Sequence, residues 1–362
     1  MREGAKGDAF FAWKWGWCCF LLGERCGRVF VIFSKKVEKN GRKNVYKGMS
    51  DSVFPVLGLW LRRIAAFLAL CAVFSACMYA EEGDDGAGLR VSFLDVGQGL
   101  AVLLEEGGRY ALYDTGPDSA GLVDTLASRG VRELEWVLVS HAHRDHGGGF
   151  MEFARAVESG ALRVGRLYVG PDTYAGIVRD SVLRLASRLK VPVDTVARGS
   201  VLGMRGSLDA PSGGASGAVA PGAPVARLDV LWPPKGEGLA ENAASVVVLL
   251  EYAGYGVLLT ADLDSAGERR LLDYSPSLRA DLLQVAHHGS AGSNTVAFLS
   301  KVAPRYAVVS VGAKNAYGHP AAPVMRKLAY VVGDSSAIYR TDRDGSVTFD
   351  LVEGAGVISP AP

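Results

Sequence analysis

The 362-residue chain holds only six histidines, and three of them, His141, His143 and His146, fall within six positions with Asp145 among them. Imidazole nitrogens and carboxylate oxygens are the ligands that zinc, manganese and iron take from proteins, so His-x-His-x-Asp-His reads as a metal-binding segment. In a turn, His141 and His143 point the same way and can hold one cation, while Asp145 and His146 are displaced enough to hold a second. A carboxylate such as Asp262 can bridge the two ions, one oxygen facing each. Two cations about 3.5–4 Å apart stabilise the attacking and leaving oxygens of a displacement and lower the pKa of a bound water towards about 7. The chemistry is that of a hydrolytic centre.

The other histidines lie in two places, the pair His287-His288 and the single His319. Taken alone, the pair fits a structural turn and His319, before a proline, a surface residue. Each of the three histidine sites, however, directly follows a predicted strand: "EWVLVS", "DLLQVA" and "YAVVSVG". Asp262 follows "YGVLLT" in the same way. Strand ends along one edge of a sheet are where α/β folds gather their binding groups, so the four segments can converge.

The elements that must position them begin at Leu89. Short Val- and Leu-rich runs alternate there with segments of helical character, which argues for α/β layers rather than a helical bundle. Further strands are expected at "LRVSFLD", "AVLLEE", "YALYD", "RLYVG", "LDVLW", "SVVVLLEYA", "AIYRTD" and "SVTFD", with a hairpin turn at "EYAGYG". Helices are expected near 119–129, 174–189, 264–273, 294–302 and 321–331. Between 206 and 226 the sequence "GSLDAPSGGASGAVAPGAP" has too much Gly and Pro and too little apolar content to pack, and reads as a flexible surface loop.

All five cysteines lie at or before Cys77, so the body offers no thiolate, and any metal there is held by imidazole and carboxylate. The net charge of +1 conceals a division: residues 1–77 carry 13 Lys/Arg against 5 Asp/Glu, leaving the rest of the chain near −7. An acidic body is not that of a protein held to nucleic acid by phosphate contacts alone. Arg144, Lys314, Arg340 and Arg343 are its local candidates for such contacts.

The front of the chain reads as a targeting region. "RRIAAFLALCAVFSAC" (62–77) has the order of an export signal, with an apolar stretch of about 13 residues, short of the roughly 20 a membrane-spanning helix needs. "FSAC" resembles a relaxed bacterial lipobox with Cys77 as the lipidated residue, and the acidic stretch 78–88 follows as a tether. Plain secretion and a retained anchor are the alternatives. Residues 1–48 read as an upstream extension, with translation starting at Met49. The expected location is the bacterial cell envelope, as a lipoprotein or else as a periplasmic or secreted protein.

Beyond the histidine segment, a series of motifs resembles the metallo-β-lactamase superfamily, and within it the hydrolase-like domain of ComEC/Rec2 DNA-uptake proteins. The series is "FLDVGQG" (93–99), "YDTG" (113–116), "SHAHRDHGGG" (140–149), "ENAASVVVLL" (241–250), "LLTADLD" (258–264), "AHHGS" (286–290), "SVGAKNAYGHP" (310–320) and "YRTDRDG" (339–345). It spans nearly all of 89–350 in the family order. The resemblance implies an αββα four-layer sandwich over 89–352 and a site of two divalent ions, zinc or manganese, that hydrolyses a phosphodiester. By position, His141 and His143 bind the first ion, Asp145 and His146 the second, and Asp262 bridges them. Asp114 orients the ligand loop from behind, and Asn242 stands near a position where superfamily members often have a further histidine. His319 is taken as the last ligand and His287 and His288, with Asp145, as catalytic, while the roles of the three histidines remain interchangeable at this level. Lys314, Asn315 and Tyr317 are read as substrate-binding.

Two departures stand out. Leu100 occupies the place after "DVGQG" where the family usually has an aspartate, and Ala261-Asp262 replaces the usual Gly-Asp. The membrane-spanning helices and additional domain of a full uptake channel do not occur in this sequence, so a separate channel is the expected partner if DNA is handled at all. The leading expectation is therefore an exported metal-dependent phosphodiesterase or nuclease using a metal-bound hydroxide. The alternatives are a hydrolase of a smaller ester, such as a phosphorylcholine ester or a lactone, and a DNA-uptake accessory that binds without turnover.

Overall fold

The computed structural model describes strand segments within 11–48 and then residues 88–118, 120–171, 176–204, 206–207, 224–239, 241–275, 277–353 and 359–360. The expected export signal, its Cys77 and most of the tether lie outside these residues, as does 208–223 of the expected flexible loop. Two units are distinguished, 1–84 and 85–362. In the first, Phe11–Ala12, Cys18–Arg25, Arg28–Lys39 and Arg42–Gly48 form a four-stranded antiparallel sheet in chain order. No helix among the described residues is long and apolar enough to cross a membrane.

The second unit contains two eight-stranded sheets and a short parallel pair, Glu133–Leu134 with Arg163–Val164. In the first, the strand order is Val193–Thr195, Leu167–Val169, Trp136–Val139, Arg109–Tyr113, Val102–Glu106, Gly88–Phe93, Val347–Val352 and Ser359–Pro360. In the second it is Gly206–Ser207, Val201–Gly203, Arg227–Trp232, Val247–Tyr252, Tyr255–Leu259, Leu282–Gln284, Tyr306–Val309 and Ile338–Arg340. All twelve strands expected from the sequence form. The hairpin turn at Ala253-Gly254 has positive φ at both residues (51° and 85°), the two-residue geometry that matches strand twist.

Side chains alternate across each strand, and this alternation builds the layers. Ala111 and Tyr113 face a central core shared with Val248, Leu250, Val257 and Leu259 of the second sheet. Leu112, between them, faces outward against Leu122, Leu126, Phe150, Phe153, Val182 and Ala186 of the helices Leu122–Ser128, Phe150–Glu158 and Ile177–Leu189. On the other side Leu258, Leu283 and Val309 face Leu271, Phe298, Leu299, Val324 and Leu328 of the helices Ser265–Tyr274, Val296–Val302 and Ala322–Val332. The result is a helix–sheet–sheet–helix sandwich, as expected. Helix Phe150–Glu158 and the three-residue strands Val193–Thr195 and Val201–Gly203 were not expected.

Strand direction fixes where the loops go. Arg109–Tyr113, Trp136–Val139 and Leu167–Val169 run parallel to one another, as do Tyr255–Leu259, Leu282–Gln284, Tyr306–Val309 and Ile338–Arg340. Within each group the carboxyl ends share one edge. The edges of the two sheets are tied by the Tyr113 hydroxyl, which donates to the Val246 carbonyl at 2.6 Å, and by the Val246 N–H, which donates to the Ser140 carbonyl at 3.1 Å.

Candidate metal centre

Asp114 sits at the first of these strand ends, fully buried and in the left-handed region at φ 60°, a conformation aspartate tolerates better than most residues. Its Oδ1 accepts the Ser140 N–H and its Oδ2 the Ser140 hydroxyl, each at 2.7 Å. The same Oδ2 lies 2.7 Å from Nδ1 of His146. Since an ionised carboxylate can only accept, His146 carries a proton on Nδ1 and turns Nε2 into the site, where a metal would compete with a proton for it. The Ser140 hydroxyl, having donated to Asp114, accepts from Nδ1 of His141 at 3.0 Å. His288 donates from Nδ1 to the Ser310 carbonyl at 2.7 Å. Three imidazoles are thus fixed in the same tautomer by the groups behind them.

The atoms turned inward are buried and without a hydrogen-bond partner: Nε2 of His141, His146 and His288, and Oδ1 of Asp262. Nε2 of His146 is 3.0 Å and Nε2 of His288 3.5 Å from Asp262 Oδ1, and His288 Nε2 is 3.3 Å from Asp145 Oδ2. Four converging donors left unsatisfied in a buried place are what a cation requires and what a packed core avoids. Two ligand sets result, each with its atoms within 4.8 Å of one another: His141, His143 and Asp262, and Asp145, His146, Asp262 and His288. Asp262 is common to both. The residues present fit divalent metal.

Charge follows from the same geometry. Burial alone would lower the pKa of His146, but Asp262 and Asp114 on its two sides raise it well above the ordinary value. Burial opposes ionisation of Asp262, and His146 and His288 override it, holding the carboxyl well below the usual carboxylate range. Asp145 is also lowered, its burial outweighed by His288. Burial, reinforced by the neighbouring His146, depresses His141, which keeps its imidazole neutral and able to donate to a metal.

The glycines of "SHAHRDHGGG" allow the ligand segment to pass close beneath its neighbours. A Cβ on Gly149 would stand 2.1 Å from the Thr115 carbonyl oxygen, and one on Gly99 would stand 2.5 Å from that of Asp145. Leu100 is buried in the inter-sheet core, and its N–H donates to the Asp145 carbonyl at 3.0 Å. Its departure from the family pattern therefore concerns packing, not substrate contact. Ala261 adopts φ 46°, a conformation glycine takes without steric cost.

The geometry departs from the sequence reading over the last ligand. His288, expected as catalytic, joins the second set, and His319, expected as a ligand, lies outside both. The cause is local. His287 and His288 both occupy the left-handed region (φ 51° and 52°), which swings His288 inward beside Asp145 while His287 stays at the rim. His287 Nε2 is 3.6 Å from Asp262 Oδ2, and the Asn242 amide nitrogen is 3.2 Å from His287 Nδ1. His319 comes next outward, its ring 5.7 Å from that of His287.

Several residues that support the site escaped the sequence reading. Asn294 clamps the His287-His288 turn, accepting from the Ala286 N–H at 3.1 Å and donating to its carbonyl at 2.9 Å. Buried Glu268, in turn, accepts from the N–H groups of Asn294 and Thr295. Ser140 and Ser310 fix ring orientation, as described above. Two of the basic candidates are committed elsewhere, Arg144 to Asp118 and Arg340 to Asp342. Lys314 and Arg343 are exposed and make no ion pair among the described residues. Asn315 points into its own loop rather than outward.

Residues 94–219 match the family model described as the metallo-beta-lactamase superfamily. Competence protein ComA of Neisseria gonorrhoeae is 32% identical over 269 residues, which are 73% of this chain and 32% of that protein. The chain carries a metallo-β-lactamase superfamily domain. ComE operon protein 3 of Bacillus subtilis (strain 168) is 27% identical over 297 residues, 75% of this chain and 34% of that one. Recombination protein 2 of Haemophilus influenzae is 28% identical over 276 residues, 73% and 29% respectively. The chain thus resembles ComEC/Rec2-type proteins and spans about a third of the length of the curated relatives it matches. Its fold and its histidine-aspartate cluster are those of a metal-dependent hydrolase.

Proposed function

We propose that the protein is a two-metal phosphodiesterase of the cell envelope acting on nucleic acid. The observation that carries this reading is that two adjacent ligand sets share one carboxylate, Asp262. Divalent ions bound there, zinc or manganese, would supply Lewis acidity at two neighbouring points and a water of lowered pKa, which suits displacement at phosphorus. His141 and His143 would hold one ion and Asp145, His146 and His288 the other, with Asp262 available to both. Asp114 holds His146 in its ligating tautomer. His287, at the rim beside Asp262 and partly exposed, is placed to pass a proton to a leaving oxygen.

Support for nucleic acid comes from the relatives, competence and recombination proteins by name. Export and lipidation at Cys77 remain our reading of the sequence, as does cooperation with a separate membrane channel. The test is cleavage of single- and double-stranded DNA by the purified full chain with manganese or zinc, beside an Asp262→Ala control. Cleavage that disappears in the control supports the reading. Two bound ions without DNA cleavage would overturn it and bring forward a smaller ester, a phosphorylcholine ester or a lactone, which the acidic body permits.

A further inference from the structure

Outward from the metal centre, three rings form a series. His287 lies beside Asp262, His319 follows at 5.7 Å, and Tyr317 stacks on His319 at 5.7 Å with an interplanar angle of 17°. Tyr317 is 70% exposed, although an aromatic side chain of its size is ordinarily placed to bury its faces. The His319 ring lies nearly parallel to it and offset to one side, leaving its faces open.

The loop that presents Tyr317 is built to hold it still. Asn315 Oδ1 accepts the N–H groups of Tyr317 at 3.2 Å and His319 at 2.9 Å. Its Nδ2 donates to the carbonyls of Gly312 and His319, both at 2.8 Å. Gly312 is anchored in turn, its N–H donating to Gln98 Oε1 at 3.1 Å, with Gln98 packed so closely that a Cβ on Gly312 would stand 2.6 Å from its backbone nitrogen. Thr341 braces the start of the loop by accepting the Val311 N–H at 2.8 Å. An exposed tyrosine on a loop held by both polar atoms of the Asn315 side chain is preorganised, and its ordering entropy is spent before any ligand arrives.

We propose that Tyr317 is a stacking platform for an unpaired nucleobase adjacent to the scissile phosphodiester, so that the substrate is a single strand or a frayed end. The inference rests on the phosphodiesterase reading and deepens it. A rigid ring with an open face offers a base a sequence-independent contact. It also resolves the difficulty of an acidic body: with Arg144 and Arg340 paired to carboxylates, affinity for a strand comes from stacking and from the metal centre more than from phosphate contacts. Lys314, exposed on the same loop, is a candidate contact to the backbone of such a strand.

The test is equilibrium binding by the full chain, followed as fluorescence anisotropy of a 5′-labelled phosphorothioate oligo(dT) 12-mer and of an abasic 12-mer of the same charge. The wild type is expected to prefer the base-bearing strand. Tyr317→Ala should remove about 5- to 100-fold of that affinity and leave the abasic strand unaffected, whereas Tyr317→Phe should retain the preference. Equal binding of the two strands by the wild type, or an equal loss on both in Tyr317→Ala, overturns the platform. Cleavage assays distinguish the two proposals. Base preference without hydrolysis of any diester refutes the enzyme and keeps the platform, and hydrolysis without base preference does the reverse.

Discussion

Replacing Asp114 by asparagine tests the argument that the metal centre is built from behind. The substitution keeps the size of the side chain, and its remaining oxygen can still accept the Ser140 N–H, now at 2.7 Å from Oδ1. On the other branch an NH2 replaces the oxygen that lies 2.7 Å from His146 Nδ1. Two donors would then face each other, so His146 relieves the conflict by moving its proton to Nε2, the atom turned toward Asp262. Protonated there, it no longer offers a lone pair to metal. Loss of a partner behind a metal ligand typically lowers affinity about 10- to 100-fold, or roughly 1.4–2.8 kcal/mol. The loss should fall on the set of Asp145, His146, Asp262 and His288 and spare that of His141 and His143. Titration of the metal-free protein with zinc, read by calorimetry, should show one site weakened and one near the wild-type value, while circular dichroism confirms the fold. Two sites of unchanged affinity in Asp114→Asn would refute the tautomer argument.

Three further outcomes follow from other parts of the structure. Chelation with EDTA should lower the melting temperature in proportion to the occupancy lost, because ligand binding to the native state stabilises it by mass action; a melting temperature indifferent to chelator would show that the site holds no metal. Ala261→Gly should relieve a left-handed conformation that costs an ordinary residue about 1–2 kcal/mol, leaving stability unchanged or slightly raised after glycine's own entropy is counted, and a loss of more than about 1 kcal/mol in denaturant would contradict it. Burial raises the pKa of Glu268 above its ordinary 4.5, so its proton is bound more tightly in the folded protein. That contribution is full below pH 4.5 and fades as pH rises through the folded value. Melting curves should therefore show wild type losing this increment over that window and Glu268→Gln, destabilised by about 1–3 kcal/mol through a mispaired N–H, lacking it; a difference constant with pH would exclude the assignment.

Much of this was legible in the sequence, for identifiable reasons. Strands such as "YALYD" and "YGVLLTAD" are apolar on both faces because each is covered by a core on both sides, and runs of that kind between Gly-rich turns are easily seen. Phe150–Glu158 was missed because it starts directly after Gly147-Gly148-Gly149, which locally reads as a turn but serves close passage past Thr115. The ligands crowded into six positions were apparent from spacing. His288 could not be told from His319, since the choice depends on two consecutive left-handed residues held by Asn294 and Glu268. Ion pairs closer than the sequence suggests, such as Arg144 with Asp118, 26 positions apart, likewise become visible only in three dimensions.

The strand Val347–Val352 supplies no ligand, yet it pairs antiparallel along its whole length with Gly88–Phe93, the strand that opens the body. Until the ribosome has made it, Gly88–Phe93 presents one open hydrogen-bonding edge, with Leu89, Val91 and Phe93 lacking the cover that Phe349 and Leu351 later give. Every metal ligand is synthesised at least 59 residues before this edge closes, as the interval from His288 to Val347 shows. The first sheet therefore cannot be complete until the carboxyl-terminal strand has been made, after every candidate ligand. A chain ending before Val347 would hold every candidate ligand and still lack the pairing partner of Gly88–Phe93, leaving the sheet that carries Asp114 and His141 with an open edge.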